Sequence, residues 1–280
     1  MLQFYDKHWS ISVLAFAALA TPVTASADSA EPVPASACEL DDGYAGDLAG
    51  FVAEANACMD QRGESGLEAK AEDVHRLTQR MREKNALAPQ ARHASLDAAA
   101  QMHALDMAAR GYAAHEDLEG RGHEDRIRAM GRQLVFGASG ANITVIEAGA
   151  SAPDIYNALI ADETSRKNLF RDAFTHTGFG LAQGNGRLYA VQVFSRVDGE
   201  LATPLPVDLP PMTPIPVEFA DPGFRLEGWR IEDSEGRQLA RGLAPRLYRA
   251  RLAGQAGHLT LEARRGTAVY SLKGPSVSAQ

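Results

Sequence analysis

Residues 96–115 read Leu-Asp-Ala-Ala-Ala-Gln-Met-His-Ala-Leu-Asp-Met-Ala-Ala-Arg-Gly-Tyr-Ala-Ala-His. Leu96, Ala99, Ala100, His103 and Met107 recur at helical spacing and predict one buried stripe. Ser95 is a suitable N-cap, because its hydroxyl can accept from an unpaired amide of the first turn. Gly111 suits the left-handed position beyond the last turn, where it has no Cβ to clash.

The neighbouring segments extend this pattern. Val74, Leu77 and Met81 share a helical face that ends near Asn85, with Pro89 just beyond as a stop. A shorter helix around Ile127 and Met130 stops at Gly131. Another starts at Ser151 or Pro153 and buries Ile155 and Leu159. Asn185-Gly186 then separates two strand-like runs, 177–181 and 188–194. A type I′ turn requires positive φ at both central residues, and Asn-Gly tolerates it. Helices followed by a hairpin predict an α+β layered domain.

The 280 residues, 45% of them hydrophobic, can bury one good core and a smaller second one. Residues 1–27 read as a signal peptide: Lys7, an apolar run from Trp9 to Ala20, then Ala25-Ser26-Ala27 as a cleavage site. That run is too short to span a bilayer, which takes about 20 residues. Lipoprotein processing at Cys38 is disfavoured, because the usual Leu is missing and the Cys lies far past the apolar run. With no second hydrophobic run, the mature chain is expected to lack a transmembrane segment and to be periplasmic or secreted. A net charge of −8 argues against nucleic acid or anionic lipid as partner, since both need clustered Lys and Arg. Cys38 and Cys58 are expected to pair in an exported chain, which would stabilise it by about 3 kcal/mol.

Composition divides the rest. Residues 28–66 form an N-terminal Cys-containing extension, in which Leu48, Phe51, Val52, Ala55 and Met59 predict one amphipathic helix. Residues 67–200 form the main domain. Half of the fourteen prolines fall between Pro204 and Pro222, so 201–222 reads as a stiff, extended linker. Residues 223–280 show short alternating runs broken by Gly, the pattern of a small β module.

His103, Asp106, Met107, Gly111, Tyr112 and His115 together resemble the signature of bacterial CAP-superfamily domains, the group of cysteine-rich secretory proteins, antigen five and pathogenesis-related proteins. In that family an HAxDM helix ends in a Gly-aromatic turn, and a following His faces a central cavity. The resemblance covers roughly residues 74–196. It continues through Glu119-Gly120, Asp125-Arg126-Ile127, Gly140-Ala141-Asn142-Ile143, residues 174–180, Gln192 and Phe194. At its start the match is weaker, with Thr78, Met81 and Asn85 in place of the family's Asn, Arg and Gly. The resemblance implies a three-layer α-β-α sandwich with a cleft.

It also implies a cavity with two His and two acids, able in some members to hold a divalent metal. Here His115 is present and Asn142 is kept, but Ala141 stands in the Glu position. The second His falls on Ser165. Asp162 or Glu163 could supply the second acid, although Leu159 replaces the aromatic residue usual one turn earlier. Zinc wants about four N, S or O ligands, so no metal site and no cofactor are expected. A general acid–base pair is lost as well. The expectation is an exported CAP-domain protein with a degenerate cavity, a non-catalytic binding or structural module of the cell envelope. Its partner would be an envelope protein, a lipid or a cell-wall fragment. The rival expectation is an envelope hydrolase rearranged around His115, Asp162 and Ser165.

Other groups read more simply. The dense run of His115, Glu116, Asp117, Glu119, His123, Glu124 and Asp125 is expected to be a solvated acidic loop leading into a helix, because its His spacing fits no compact metal template. His103 is expected to be a hydrogen-bonded core residue. Gly137-Ala138-Ser139-Gly140 is one residue short of a nucleophile elbow. Trp229, Tyr248 and Tyr270 fit either an aromatic binding face or the core of the C-terminal module.

Overall fold

The computed structural model describes residues 38, 40–62, 66–210, 212–243, 246–247, 252 and 255–278. The expected signal peptide and Tyr248 lie outside them. In chain order the elements are α1 (Leu48–Arg62), α2 (Leu67–Lys84), β1 (Ala91–Arg92), α3 (Ala94–Arg110), α4 (His123–Met130), β2 (Leu134–Glu147), α5 (Ala152–Leu159), α6 (Glu163–Leu169), β3 (His176–Gly184), β4 (Arg187–Leu201), β5 (Thr213–Pro214), β6 (Val217–Phe219), β7 (Arg225–Glu232), β8 (Gln238–Leu243), β9 (Arg246–Leu247), β10 (Gly257–Arg265) and β11 (Ala268–Val277). The main sheet runs β1-β3-β4-β2-β11-β10-β7-β8, with β6 added along β4.

The hairpin forms as its sequence requires. Asn185 and Gly186 take φ of 51° and 71° between β3 and β4. Along β4 the side chains alternate between two cores. Tyr189, Val191 and Val193 face α1, α3 and α4. Leu188, Ala190 and Phe194 face α2, α5 and α6. A strand apolar on both faces must be covered on both, which makes the fold an α-β-α sandwich of the α+β class.

Glycine lets α3 lie directly on the sheet. A Cβ on Gly178 would come within 2.2 Å of the Leu96 carbonyl carbon, and one on Gly180 within 2.3 Å of that of Ala100. Glycines on one face of β3 permit this approach, and Gly184 repeats it, a Cβ there coming within 2.2 Å of the Ala108 carbonyl oxygen. The first turn of α3 differs in detail from expectation. The helix starts one residue before Ser95, and the His93 ring accepts from the Ser95 amide at 3.2 Å, so His93 is the cap. At the other end Gly111 is left-handed as expected, with φ of 70°.

The 14-residue strand β2 was not legible as a strand. Its middle, Gly137-Ala138-Ser139-Gly140-Ala141, has little β propensity, and antiparallel pairing with β4 along nearly its whole length overrides that. The N-terminal extension supplies α1, and a disulfide joins Cys38 to Cys58 with Cα atoms 4.7 Å apart. Tyr44 and Phe51 from this extension pack into the core on α3.

Beyond β4 the chain keeps to the same sheet. β11 lies antiparallel beside β2, with Lys273 opposite Phe136, and β10, β7 and β8 follow. Their core is a third cluster around Trp229, Ile231, Leu259 and Leu261. Trp229 is thus core, its indole N–H donating to the Arg246 carbonyl at 2.8 Å, while Tyr270 is partly exposed against Phe224. The proline-rich stretch is extended but not a free tether. It buries Leu205, Leu209 and Ile215 in that third core, and the Leu205 and Leu209 amides donate to the Arg132 and Ser278 carbonyls, each at 2.8 Å. Its prolines lack donors, but the apolar residues between them carry both the packing and the hydrogen bonds. Arg128 of α4 adds two buried bonds across the seam, to the Leu259 carbonyl at 2.8 Å and to that of Gly274 at 2.9 Å.

Candidate functional site

The last turn of α3 and the loop after it build two different environments. In the first, Asp106 is buried and accepts from Arg110 at 2.7 and 2.8 Å and from the Tyr112 hydroxyl. Arg110 also donates to Glu119 at 2.6 and 2.8 Å. Arg121 donates to Asp117 at 2.7 Å and lies over the Phe51 ring at 4.1 Å. Asp106, Asp117 and Glu119 bring carboxylate oxygens within 4.8 Å of one another. Two guanidinium groups already occupy them, so this is a charge-balanced cluster. The loop expected to be solvated is therefore folded back here, with Asp117 buried. Of the two arginines that drive this, Arg110 lies before the acidic run that suggested an open loop and Arg121 lies within it.

The second environment is an open cleft of about 460 Å³, lined by His115, Glu116, His123, Glu124, Ala141 and Asn168, with Gly122 and Gly140. His115 is exposed, and its backbone is held from beneath: the buried Arg126 guanidinium donates to the His115 and Arg121 carbonyls, each at 2.7 Å. Burial pushes the Arg126 pKa down to about 10. His123 stands deeper, with its Nε2 3.2 Å from Ser139 Oγ. Burial, then the Arg126 charge, pushes its imidazole down to about 4, so it is neutral at neutral pH. Burial alone would raise the Glu124 carboxyl, but Lys273 and Arg128 outweigh it and hold it below its ordinary value. Asn168 donates to the Asn142 side-chain oxygen at 3.0 Å and to the Ala141 carbonyl at 3.3 Å.

Of the residues expected here, His115 and Ala141 line the cleft. Asn142 lies beneath it, buried, donating to the Ser165 carbonyl at 2.9 Å. Ser165, Asp162 and Glu163 are not among the lining residues. Ser165 turns back to Asp162, its hydroxyl donating at 2.5 Å and its amide at 2.9 Å, so the two cap the start of α6. Glu163 is exposed and paired with Lys167 at 2.7 Å. For the hydrolase arrangement around His115, Asp162 and Ser165, the hydroxyl is taken up by a helix cap, and the imidazole makes no hydrogen bond to either partner among the described residues. His103, by contrast, is core as expected: its Nε2 donates to the Ala114 carbonyl at 2.7 Å, and its Nδ1 has no partner among the described residues.

Two residues escaped the sequence reading. Asn168 follows Ser165 by one helical turn, so the spacing that located Ser165 could have pointed to it. Arg126 was legible only as a helix-start residue, because nothing local signals that its guanidinium reaches back under the loop.

The family model described as the cysteine-rich secretory protein family, CAP, matches residues 75–194. The chain carries a CAP domain. An outer surface protein from Borrelia burgdorferi is similar in structure to this chain, with 14% identity and a TM-score of 0.42, covering 47% of this chain and 95% of that one. An extracellular protein containing a SCP domain from Bacillus anthracis is similar at 22% identity and a TM-score of 0.40, covering 46% of this chain and 41% of that one. No curated protein matches by sequence. Among the described residues, no helix is long and apolar enough to cross a membrane. In this CAP domain His115 and Ala141 line the cleft, and Ser165 caps α6.

Proposed function

We propose that the chain is an exported CAP-domain protein of the cell envelope, periplasmic or secreted, whose cleft binds a ligand and does not convert it. One observation carries the reading: the cleft is formed and polar, but among the described residues no three of His115, Glu116, His123 and Glu124 gather their ligand atoms at one point, and Glu124 is paired with Arg128 and Lys273. A metal would find too few ligands brought together. An acyl donor would find no nucleophile on the lining, since Ser139, whose hydroxyl lies 3.2 Å from His123 Nε2, is not among the lining residues.

Among an envelope protein, a lipid and a cell-wall fragment, the lining favours the last. Five of its residues, His115, Glu116, His123, Glu124 and Asn168, are polar, whereas a lipid tail needs an apolar wall. Calorimetry with a soluble cell-wall digest tests this. Binding should be at least about tenfold weaker in the double variant His115→Ala, Glu116→Ala, a loss of about 1.4 kcal/mol. Both positions are exposed, so the fold should be untouched. Equal affinity in the variant would remove the cleft from the binding site. Tight zinc binding by the native chain that is lost in His115→Ala would overturn the non-catalytic reading.

A further inference from the structure

A second cavity, about 650 Å³, lies at the seam between α4 and the C-terminal strands. Asp125 of α4, His258 of β10 and Ser276 of β11 line it together. His258 and Ser276 are cross-strand partners, and His258 Nδ1 lies 2.8 Å from Ser276 Oγ. On the other side of the ring, Nε2 faces Asp125 Oδ1 at 3.6 Å. The second Asp125 oxygen accepts from the Gly122 amide at 2.8 Å, which fixes the carboxylate at the start of α4.

With N–H on Nε2, towards the Asp125 carboxylate, Nδ1 is a lone pair that accepts from the Ser276 hydroxyl; at 3.6 Å the carboxylate acts on the ring as a charge, beyond hydrogen-bond reach. A nucleophile bonded to a base, and a base oriented by a third group, is the arrangement that activates a hydroxyl. We infer that Ser276, His258 and Asp125 form a nucleophile, base and orienting carboxylate that cleave small polar esters in this seam cavity.

The site is separate from the cleft and goes beyond its reading, since neither depends on the other's ligand. The volume suits a small molecule, and Glu119, Arg121, Glu235 and Arg237 on the wall suit a polar one. The base is ready at neutral pH. Burial lowers the imidazole, Arg128 lowers it further, and Asp125, Glu124 and Glu232 oppose them without reversing the direction.

In the reaction, Ser276 Oγ bonds to the ester carbonyl carbon as its proton passes to His258 Nδ1. The tetrahedral adduct then breaks its C–O bond to the alcohol, which leaves with that proton. Water adds to the acyl-serine in the same way, giving its proton to His258, and the acid leaves as Ser276 recovers a proton. Ester and water go in, and acid and alcohol come out. Asp125 touches no reacting atom and is a positioning residue.

An alkyl fluorophosphonate tests this on the intact chain, because Ser276 would displace fluoride and keep the phosphonyl group. Fragmentation of the tryptic peptide beginning at Gly274 should place the adduct on Ser276, distinguishing it from Ser278, and Ser276→Ala should abolish it. His258→Gln should slow labelling by at least about a hundredfold, the usual worth of a positioned base. Asp125→Asn keeps an acceptor for the Gly122 amide and should shift the pH profile of labelling. In the native chain the rate should fall as the imidazole gains a proton, at a pH below the ordinary imidazole value of about 6.5, a readout that holds even if a variant fails to fold. No adduct on Ser276, a rate unchanged by His258→Gln in a folded variant, or a pH-independent native rate would each overturn the proposal. A pH profile unmoved in Asp125→Asn would remove Asp125 from the set.

Discussion

His103 and His115 belong to one motif, yet the chain uses them in opposite ways. His103 and Asp106 lie inside the helix and are closed off, the imidazole bonded to the Ala114 carbonyl and the carboxylate to Arg110 and Tyr112. His115 lies beyond the Gly111 turn on an open cleft, with only its backbone anchored, by Arg126. The first half of the signature is a stability device and the second half presents a side chain to solvent. The difference shows that two halves of one sequence motif can do separate physical work, one closing a core and the other presenting a side chain to solvent.

Removing charge at the two ends should separate them most sharply. Asp106→Ala leaves Arg110 and the Tyr112 hydroxyl buried without their shared partner and should cost about 3–5 kcal/mol, the usual penalty for breaking a buried ion pair. His115→Ala should stay within about 0.5 kcal/mol of the native chain. Urea unfolding of both variants measures this, and comparable losses would erase the distinction between a closed and an open end.

The disulfide should act on the closed end alone. The extension it anchors places the Ala45 carbonyl against Arg121 at 2.9 Å and the Tyr44 hydroxyl against the Met102 carbonyl at 3.1 Å. Reducing Cys38–Cys58 should lower stability by about 3 kcal/mol through the freed loop. Binding at the cleft should be unchanged when the reduced chain is kept folded. Loss of cleft affinity on reduction would show that the two ends are coupled.

Acid should give the smallest separation. Burial pushes His103 down to about 3 and His123 to about 4, so both are neutral in the folded chain. The unfolded chain binds protons at these positions below about pH 6.5 while the folded chain does not. Their effect on stability is therefore absent above about pH 6.5 and grows as a loss when pH falls from there towards about 4. His103→Gln should flatten the dependence of the urea midpoint on pH in that window, and His115→Ala should not. Equal slopes in native and His103→Gln chains would mean that the buried ring carries no part of the acid sensitivity.

The same contrast governs what could be read in advance. The stripe of α3, the Asn-Gly turn and the ends of α2, α4 and α5 were all legible, because each rests on spacing or on one residue's identity. The path of residues 201–222 was only half legible. Prolines dictated extension, but the burial of Leu205 and Leu209 needed a partner surface from distant strands.

The sequence by itself determined the main helices, the hairpin and the pairing of two cysteines, since periodicity, turn chemistry and cysteine count are local properties. Only the tertiary structure decided that Ser165 caps a helix, that Asn168 takes its place at the cleft, that Arg126 reaches under the loop, and that Asp125, His258 and Ser276 meet. Asp125 lies far along the chain from the other two, which are cross-strand partners of the β10–β11 hairpin. Its approach to them depends on how that hairpin docks against β2 and α4, and no local pattern encodes that docking.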